Sequence, residues 1–216
     1  MQRAKAEILG ELGPFQGTES VGGVSWDGQS VWVASGDHLA TVNPVTGSVQ
    51  RSMDIAARAG TAFDGRHLFQ IVAGRIHKID PENGRVLATI PSPDGDGNSG
   101  LAWAEGSLWV GNYKGRRIHQ LDPETGAILR TIESNRFVTG VTWVDGELWH
   151  GTWENEQSEI RRIDPASGEV LEQLEMPASI IVAGLESDGG ERFFCGGGDS
   201  RKVRVVRRPP RKKATG

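Results

Sequence analysis

Trp153 is the one tryptophan of seven that stands outside the sequence repeat, and it opens the segment Trp153-Glu154-Asn155-Glu156, where an aromatic face and carboxylates lie side by side. A tryptophan so placed can stack on a flat ligand, and Glu154 can carry a proton. His150 takes a position that holds valine in two other units (Val33, Val110), so an imidazole stands where an apolar side chain is expected. Glu154 and His150 are therefore the candidate catalytic residues. The hydroxyls of Ser99 and Thr139, the amides of Asn98 and Asn112, the phenol of Tyr113 and the guanidinium of Arg136 fall in the connections expected to gather around Trp153. Together they suit a modest ligand held by stacking and a few hydrogen bonds. Each has a plainer reading: Trp153 as a loop anchor packed over a sheet edge, His150 as a core histidine satisfied by one hydrogen bond.

The remaining chemistry-bearing residues point away from metals and cofactors. His77 and His119 occupy the same repeat position, Arg-Ile-His-x-Ile/Leu-Asp, which fits packing between units, while His38 and His67 fall beside turns. No pair spaced His-x-x-x-His or Cys-x-x-Cys occurs, and Gly196-Gly197-Gly198 reads as a loop. We expect no metal and no cofactor.

These residues are positioned by a repeat of about 40 residues, the period of a four-stranded propeller blade. Its lead glycines are Gly23, Gly60, Gly100, Gly140 and Gly184, in phrases such as Gly-Val-Ser-Trp-Asp-Gly (23–28) and Gly-Val-Thr-Trp-Val-Asp-Gly (140–146). Each phrase leads into an apolar run (Val31-Trp32-Val33, Leu108-Trp109-Val110, Leu148-Trp149-His150) and then to a turn of the type Asp122-Pro123-Glu124-Thr125-Gly126. Short β-branched and aromatic runs between such turns read as strands. The sequence predicts an all-β, five-bladed β-propeller with four antiparallel strands per blade, one domain over residues 1–208. The fifth unit lacks a last strand, and Glu7-Ile8-Leu9-Gly10-Glu11-Leu12 has the pattern to supply it from about residues 5–12, closing the ring. Residues 209–216 read as a basic tail.

The turns on one face of such a propeller barely change length, whereas the connections on the other do. Trp32 to Asn43 and Phe69 to Asp80 are 11 residues each, Trp109 to Asp122 is 13, and Trp149 to Asp164 is 15. Variable loops on a rigid scaffold are the usual place for function. The candidate site is the channel mouth on that face, ringed by the residues that precede the lead glycines: Gly22, Ala59, Ser99, Thr139 and Ala183.

Composition narrows the partners. The chain has 216 residues, 37% hydrophobic, no apolar run of membrane-spanning length and one cysteine, Cys195. The N-terminal segment has no apolar signal-peptide core, so a cytoplasmic protein is expected. Net charge is −4, and Arg207, Arg208, Arg211, Lys212 and Lys213 contribute +5 to it, leaving −9 on the rest. With no aromatic residue interleaved and an acidic body, the run 207–213 reads as a solvated tail rather than a nucleic-acid tether. The expected partner is a small molecule or a peptide N-terminus, with no membrane and no nucleic acid, bound by a monomer.

Val141-Thr142-Trp143-Val144-Asp145-Gly146-Glu147-Leu148-Trp149, continued by Trp153 and by Ile163-Asp164-Pro165-Ala166-Ser167-Gly168-Glu169-Val170, resembles the plant and bacterial type of glutaminyl cyclase (glutamine cyclotransferase). Those five-bladed propellers cyclise N-terminal glutamine to pyroglutamate. The resemblance implies catalysis by the residues before the lead glycines, and there this chain departs from the pattern. The family's glutamine falls on Gly22, its Gly-Glu-Gly acid on Ala59, a tryptophan on Ser99 and an asparagine on Thr139. Trp153 alone is kept, fourteen residues after Thr139. Cyclisation needs a proton shuttle between attacking amine and leaving ammonia. The resemblance with Ala59 in the acid's place implies a cyclase scaffold with a rebuilt site and poor cyclase activity. Propeller hydrolases or lyases, of the gluconolactonase and streptogramin-lyase types, and a non-enzymatic interaction scaffold are the alternatives. The first two require a divalent metal, for which the ring of five offers no carboxylate.

Overall fold

Asp27 shows how one repeat unit closes on itself. In the computed structural model, which describes residues 1–210, its Oδ1 accepts the backbone N–H groups of Gln29 and Ser30 at 2.8 and 2.7 Å. Its Oδ2 accepts the indole N–H of Trp32 at 2.8 Å. The phrase Trp-Asp-Gly-x-x-x-Trp is thus a hairpin whose aspartate ties the turn to the next strand. The second turn is built alike. Asp122 Oδ1 accepts the N–H groups of Glu124 and Thr125 at 3.0 and 2.8 Å, and Gly126, at φ +75°, donates its N–H to the Asp122 carbonyl at 2.9 Å. The Thr125 N–H and hydroxyl, followed by the Glu124 N–H, hold the Asp122 carboxyl below the usual range, and bonds from Ser167 and Ala166 do the same for Asp164.

The strands form five sheets arranged as blades, all-β and with the internal repeat visible in every one. Blade one holds Gly23–Trp26, Val31–Val42 and Val49–Ala57; blade two Thr61–Phe63, Leu68–Val72, Arg75–Ile79 and Val86–Pro91; blade three Asn98–Ala104, Ser107–Asn112, Arg117–Leu121 and Ile128–Glu133. Blade four holds Val138–Val144, Glu147–Glu154, Gln157–Ile163 and Val170–Glu175, and blade five Gly184–Ser187, Arg192–Gly196 and Val203–Arg207.

Two blades depart from the expected four antiparallel strands. In blade one the second and third strands run together as Val31–Val42, whose first half pairs with Gly23–Trp26 and whose second half pairs with Val49–Ala57, Gly36 at φ +74° lying at the join. That sheet therefore counts three strands. Blade four counts five, because Gln2–Lys5 adds to its outer edge in parallel, Gln2 opposite Glu172 and Lys5 opposite Glu175. The next segment, Ile8–Leu12, crosses to blade five and pairs antiparallel with Val203–Arg207. One N-terminal stretch thus covers the edges of two neighbouring blades.

Five lead glycines hold the centre. A Cβ built on Gly23, Gly60, Gly100, Gly140 or Gly184 would lie 2.9 Å or less from the backbone of the next blade. The inner strands meet backbone to backbone around the ring, which only glycine permits. Five hydrophobic clusters lie between the blades, each drawing residues from two neighbours. The rhythmic aromatic residues are the joints: Trp103 stacks on Phe69 of the preceding blade at 5.5 Å, Trp143 on Trp109 at 5.1 Å, and Trp26 packs on Phe194 at 5.5 Å. Blade five has Ser187 in place of that tryptophan, and Phe193 meets Trp149 instead at 5.1 Å.

The basic run 207–213 begins inside the fold. Arg207 ends a strand and pairs with Glu7 of the closing segment at 2.7 Å. Arg208 is buried, with Nη2 2.5 Å from Asp145 Oδ2. The rest of the expected tail, 211–216, lies outside the described residues.

Candidate functional site

Gly22, Ala59, Ser99, Thr139 and Ala183 do meet around one opening, a cleft of about 330 Å³ over the inner ends of the blades. Tyr113 and Trp153 stand on its walls, and Asn98, Arg58 and Ile181 complete the lining. The five come together because each directly precedes its blade's lead glycine, and those glycines pack backbone to backbone around the ring.

Both aromatic walls are held by neighbours. Trp153 lies in the strand Glu147–Glu154 opposite Ser158, and its N–H reaches the Phe137 carbonyl at 3.4 Å. Tyr113 stacks on Phe137, centroids 4.7 Å apart, and the Arg116 guanidinium lies 4.2 Å from the centre of the same Phe137 ring. Arg116 Nη2 donates to Glu154 Oε1 at 2.7 Å. Both aromatic residues stay half-buried.

The polar residues expected around them are largely engaged. Ser99 Oγ lies within donating distance of the carbonyls of Val138 at 2.7 Å and Gly111 at 3.1 Å, joining blades three and four. Asn98 Nδ2 lies 2.6 to 2.9 Å from Ser92 Oγ and the carbonyls of Pro93 and Gly95, and its Oδ1 accepts from Asn112 at 3.3 Å. Asn112 Oδ1 accepts the Gly115 N–H at 2.6 Å. The two amides therefore shape the loops of blade three. Thr139 is buried, its Oγ1 without a partner and shut from solvent, close to Gly151.

Glu154, His150, Asn112 and Arg136 do not line this cleft. Glu154 sits between Arg116 at 2.7 Å and Arg136 at 3.8 Å, and Arg136 also faces Glu159 at 3.4 Å. His150 is buried between blades three and four, beside a separate cleft bounded by Ile118 and Ile163. Its Nδ1 donates to the Gly151 carbonyl at 3.1 Å. Burial pushes its pKa down to about 4, with the Arg161 charge adding to the shift and the Gly151 bond opposing it. The buried Cys195 thiol is pushed up by desolvation and carries no thiolate near neutrality.

Arg58 and Ile181 are the lining residues that the sequence did not single out, and Arg58 is the charged one. It precedes Ala59 directly, so one further step back from the lead glycine would have found it. Its guanidinium is exposed and lies 3.2 Å from Asp37. Among the described residues no group of three or more His, Cys, Asp or Glu is placed to hold a metal ion, and no helix is long and apolar enough to cross a membrane.

Residues 131–194 match the family model described as glutamine cyclotransferase. The crystal structure of Myxococcus xanthus glutaminyl cyclase superposes with a TM-score of 0.77 at 18% identity, covering 95% of this chain and 97% of that one. The fold is shared with a glutaminyl cyclase. Hydrazine synthase of Kuenenia stuttgartiensis is more distant, with a TM-score of 0.51 at 19% identity over 84% of this chain and 58% of that one. No match was found among curated protein sequences. The segment matched by the cyclotransferase model contains Thr139, His150, Trp153 and Glu154, and it leaves Gly22, Ala59 and Ser99 outside.

Proposed function

We propose that this chain is a binding propeller for a small molecule or a peptide end, with its site in the channel-mouth cleft, built on a glutaminyl-cyclase-like scaffold and without competent cyclase activity. One observation carries the reading: the cleft has two aromatic walls, Tyr113 and Trp153, and its lining holds Arg58 as a charged group but no carboxylate. Stacking walls hold a flat or extended ligand. Cyclisation of glutamine also asks for a group that accepts a proton from the amine and returns one to ammonia. Ala59 has none, and Glu154 is bound to Arg116 outside the cleft.

The test pairs two measurements on the same peptides with N-terminal glutamine. Binding is read from tryptophan fluorescence and turnover from ammonia release. Binding without turnover is the expected result. Release at about 1 s⁻¹ or faster, within the usual range of enzymes, would restore the cyclase. Turnover of lactones that is lost on chelation would favour the hydrolase or lyase alternative. A cleft that binds neither peptides nor small aromatic probes would leave the interaction scaffold.

A further inference from the structure

Blade four carries a second groove, away from the channel mouth, of about 750 Å³. Its floor follows from strand register. Arg3 lies opposite Gln173, and Gln173 opposite Arg161; Lys5 lies opposite Glu175, and Glu175 opposite Glu159. Residues directly opposite in a sheet share a face, so two polar rows run side by side across it. Arg136, from the connection before the blade, lies against Glu159 at 3.4 Å.

The charges do not balance. Arg161 and Glu159 are both buried and joined at 2.7 Å, and Arg161 Nη1 also donates to Asn135 Oδ1 at 2.7 Å. Glu159 thus serves both Arg161 and Arg136, and Glu154, outside the lining and bound to Arg116, reaches Arg136 only at 3.8 Å. Arg3 and Lys5 form no ion pair among the described residues. Four cations and two carboxylates, Glu159 and Glu175, line the groove in a chain of net charge −4. Blade three solves the same problem internally. There His119 and Arg117 hold the row positions of Arg161 and Glu159, and the preceding connection, residues 92–97, places Asp94 Oδ2 2.9 Å from His119 Nε2 and 3.2 Å from Arg117 Nε. The connection into blade four is two residues shorter, 134–137, and brings an arginine instead of an aspartate.

We propose that this groove binds a phosphate monoester, its oxyanion taking the place that Asp94 fills in blade three. An excess of two cations matches a phosphate dianion, and guanidinium groups suit its oxygens. The groove is far larger than the phosphate alone, so a polar body can follow it. The chemistry is common to a soluble phosphorylated molecule and to a phosphorylated lipid headgroup.

Calorimetric titration with inorganic phosphate and with glycerol 3-phosphate, at low ionic strength with chloride as the matched control, tests this on the full chain. Saturable binding of both phosphates is expected. The exposed double variant Arg3→Ala/Lys5→Ala should weaken it about tenfold or more, each lost charge-assisted bond amounting to roughly one decade. Asn135→Asp, which supplies an internal carboxylate beside Arg161, should weaken binding while leaving the melting temperature unchanged or raised. Vesicles of phosphatidylcholine with and without phosphatidic acid separate the sources: sedimentation with phosphatidic acid vesicles, lost in the double variant, assigns the headgroup, and phosphate binding without sedimentation assigns a soluble ligand. Failure of both phosphates to bind, or equal affinity in the parent and double variant, overturns the proposal without touching the channel-mouth reading.

Discussion

Tyr113 stacks on Phe137 with ring centroids 4.7 Å apart and planes inclined by 17°. Tyr113 belongs to the connection within blade three and Phe137 to the connection into blade four, so the cleft wall is a contact between two loops. Arg116 presses on the same ring and is itself anchored by Glu154. Glu154, a catalytic candidate from the sequence, here holds Arg116 against the Phe137 ring.

Phe137→Ala should therefore loosen Tyr113. Because Phe137 is half-buried, the stability loss should be roughly 1–2 kcal/mol, below the 3–5 kcal/mol of a fully buried phenylalanine. Affinity for aromatic probes should fall more clearly than the melting temperature. Glu154→Gln, which unpairs Arg116, should act in the same direction and more weakly. A loss of binding in Glu154→Gln with Tyr113 undisturbed in an NMR spectrum would return Glu154 to a direct role.

Trp153→Ala should cost ligand affinity at little expense in stability, since the side chain is half-buried in a cleft wall. Trp109→Ala is the comparison. That ring is buried and stacked on Trp143, and its loss should cost about 3–5 kcal/mol. Chemical denaturation of both variants decides the point. Equal destabilisation with unaltered binding would make Trp153 an anchor.

The N-terminal stretch should divide into two parts by truncation. Removing residues 1–6 takes away the parallel fifth strand of blade four, whose side chains are exposed, and should lower the melting temperature only modestly. Removing 1–12 also strips blade five of Ile8–Leu12, the buried Leu12, and the ion pairs of Glu7 and Glu11. The bare edge of Val203–Arg207 should then promote aggregation. Thermal scans and light scattering on both truncations check this. Indistinguishable truncations would mean that the closing strand contributes nothing.

The buried His150 and the half-buried Glu186 should give stability opposite slopes with pH. Glu186 is held between the Thr142 hydroxyl and the Ser187 N–H, yet burial raises its pKa from 4.5 to about 7. Its folded form binds more protons than the unfolded chain between these values, so its contribution falls as pH rises from 4.5 to 7. His150 is lowered from 6.5 to about 4. There the unfolded chain binds more protons, and stability falls as pH drops from 6.5 to 4. Glu186→Gln should be more stable than the parent at pH 7 and above, by roughly 2 kcal/mol once partial exposure is discounted, with the gain vanishing near pH 4.5. His150→Leu should flatten the acid limb. Urea melts from pH 4 to 8 measure both, and parallel curves for parent and variants would refute the assignment.

The architecture is written in short range. The Asp27 turn uses residues within five positions of one another, and the Asp122 turn within four, so their chemistry is legible without any fold. The lead glycines repeat because each must pass the backbone of the next blade, and the timed tryptophans because they pack between blades, five of the six against an aromatic ring of a neighbour. A repeated requirement leaves a repeated residue. That is why five blades, their order, and the gathering of Gly22, Ala59, Ser99, Thr139 and Ala183 could be read in advance.

What the repeat does not contain, only the tertiary structure decided. Glu154 meets Arg116 across 38 positions, and Asn98 spends its amide on three loop oxygens, because side chains in irregular connections find partners by proximity rather than by spacing. Gln2–Lys5 reads no differently from other short polar segments, and its parallel pairing with Val170–Glu175 depends on an edge that exists only once blade four has folded. The excess charge in the groove of that blade arises the same way: Arg3 and Lys5 from one strand, Arg161 from another and Arg136 from a connection come together on a surface set by register, which long-range packing alone fixes.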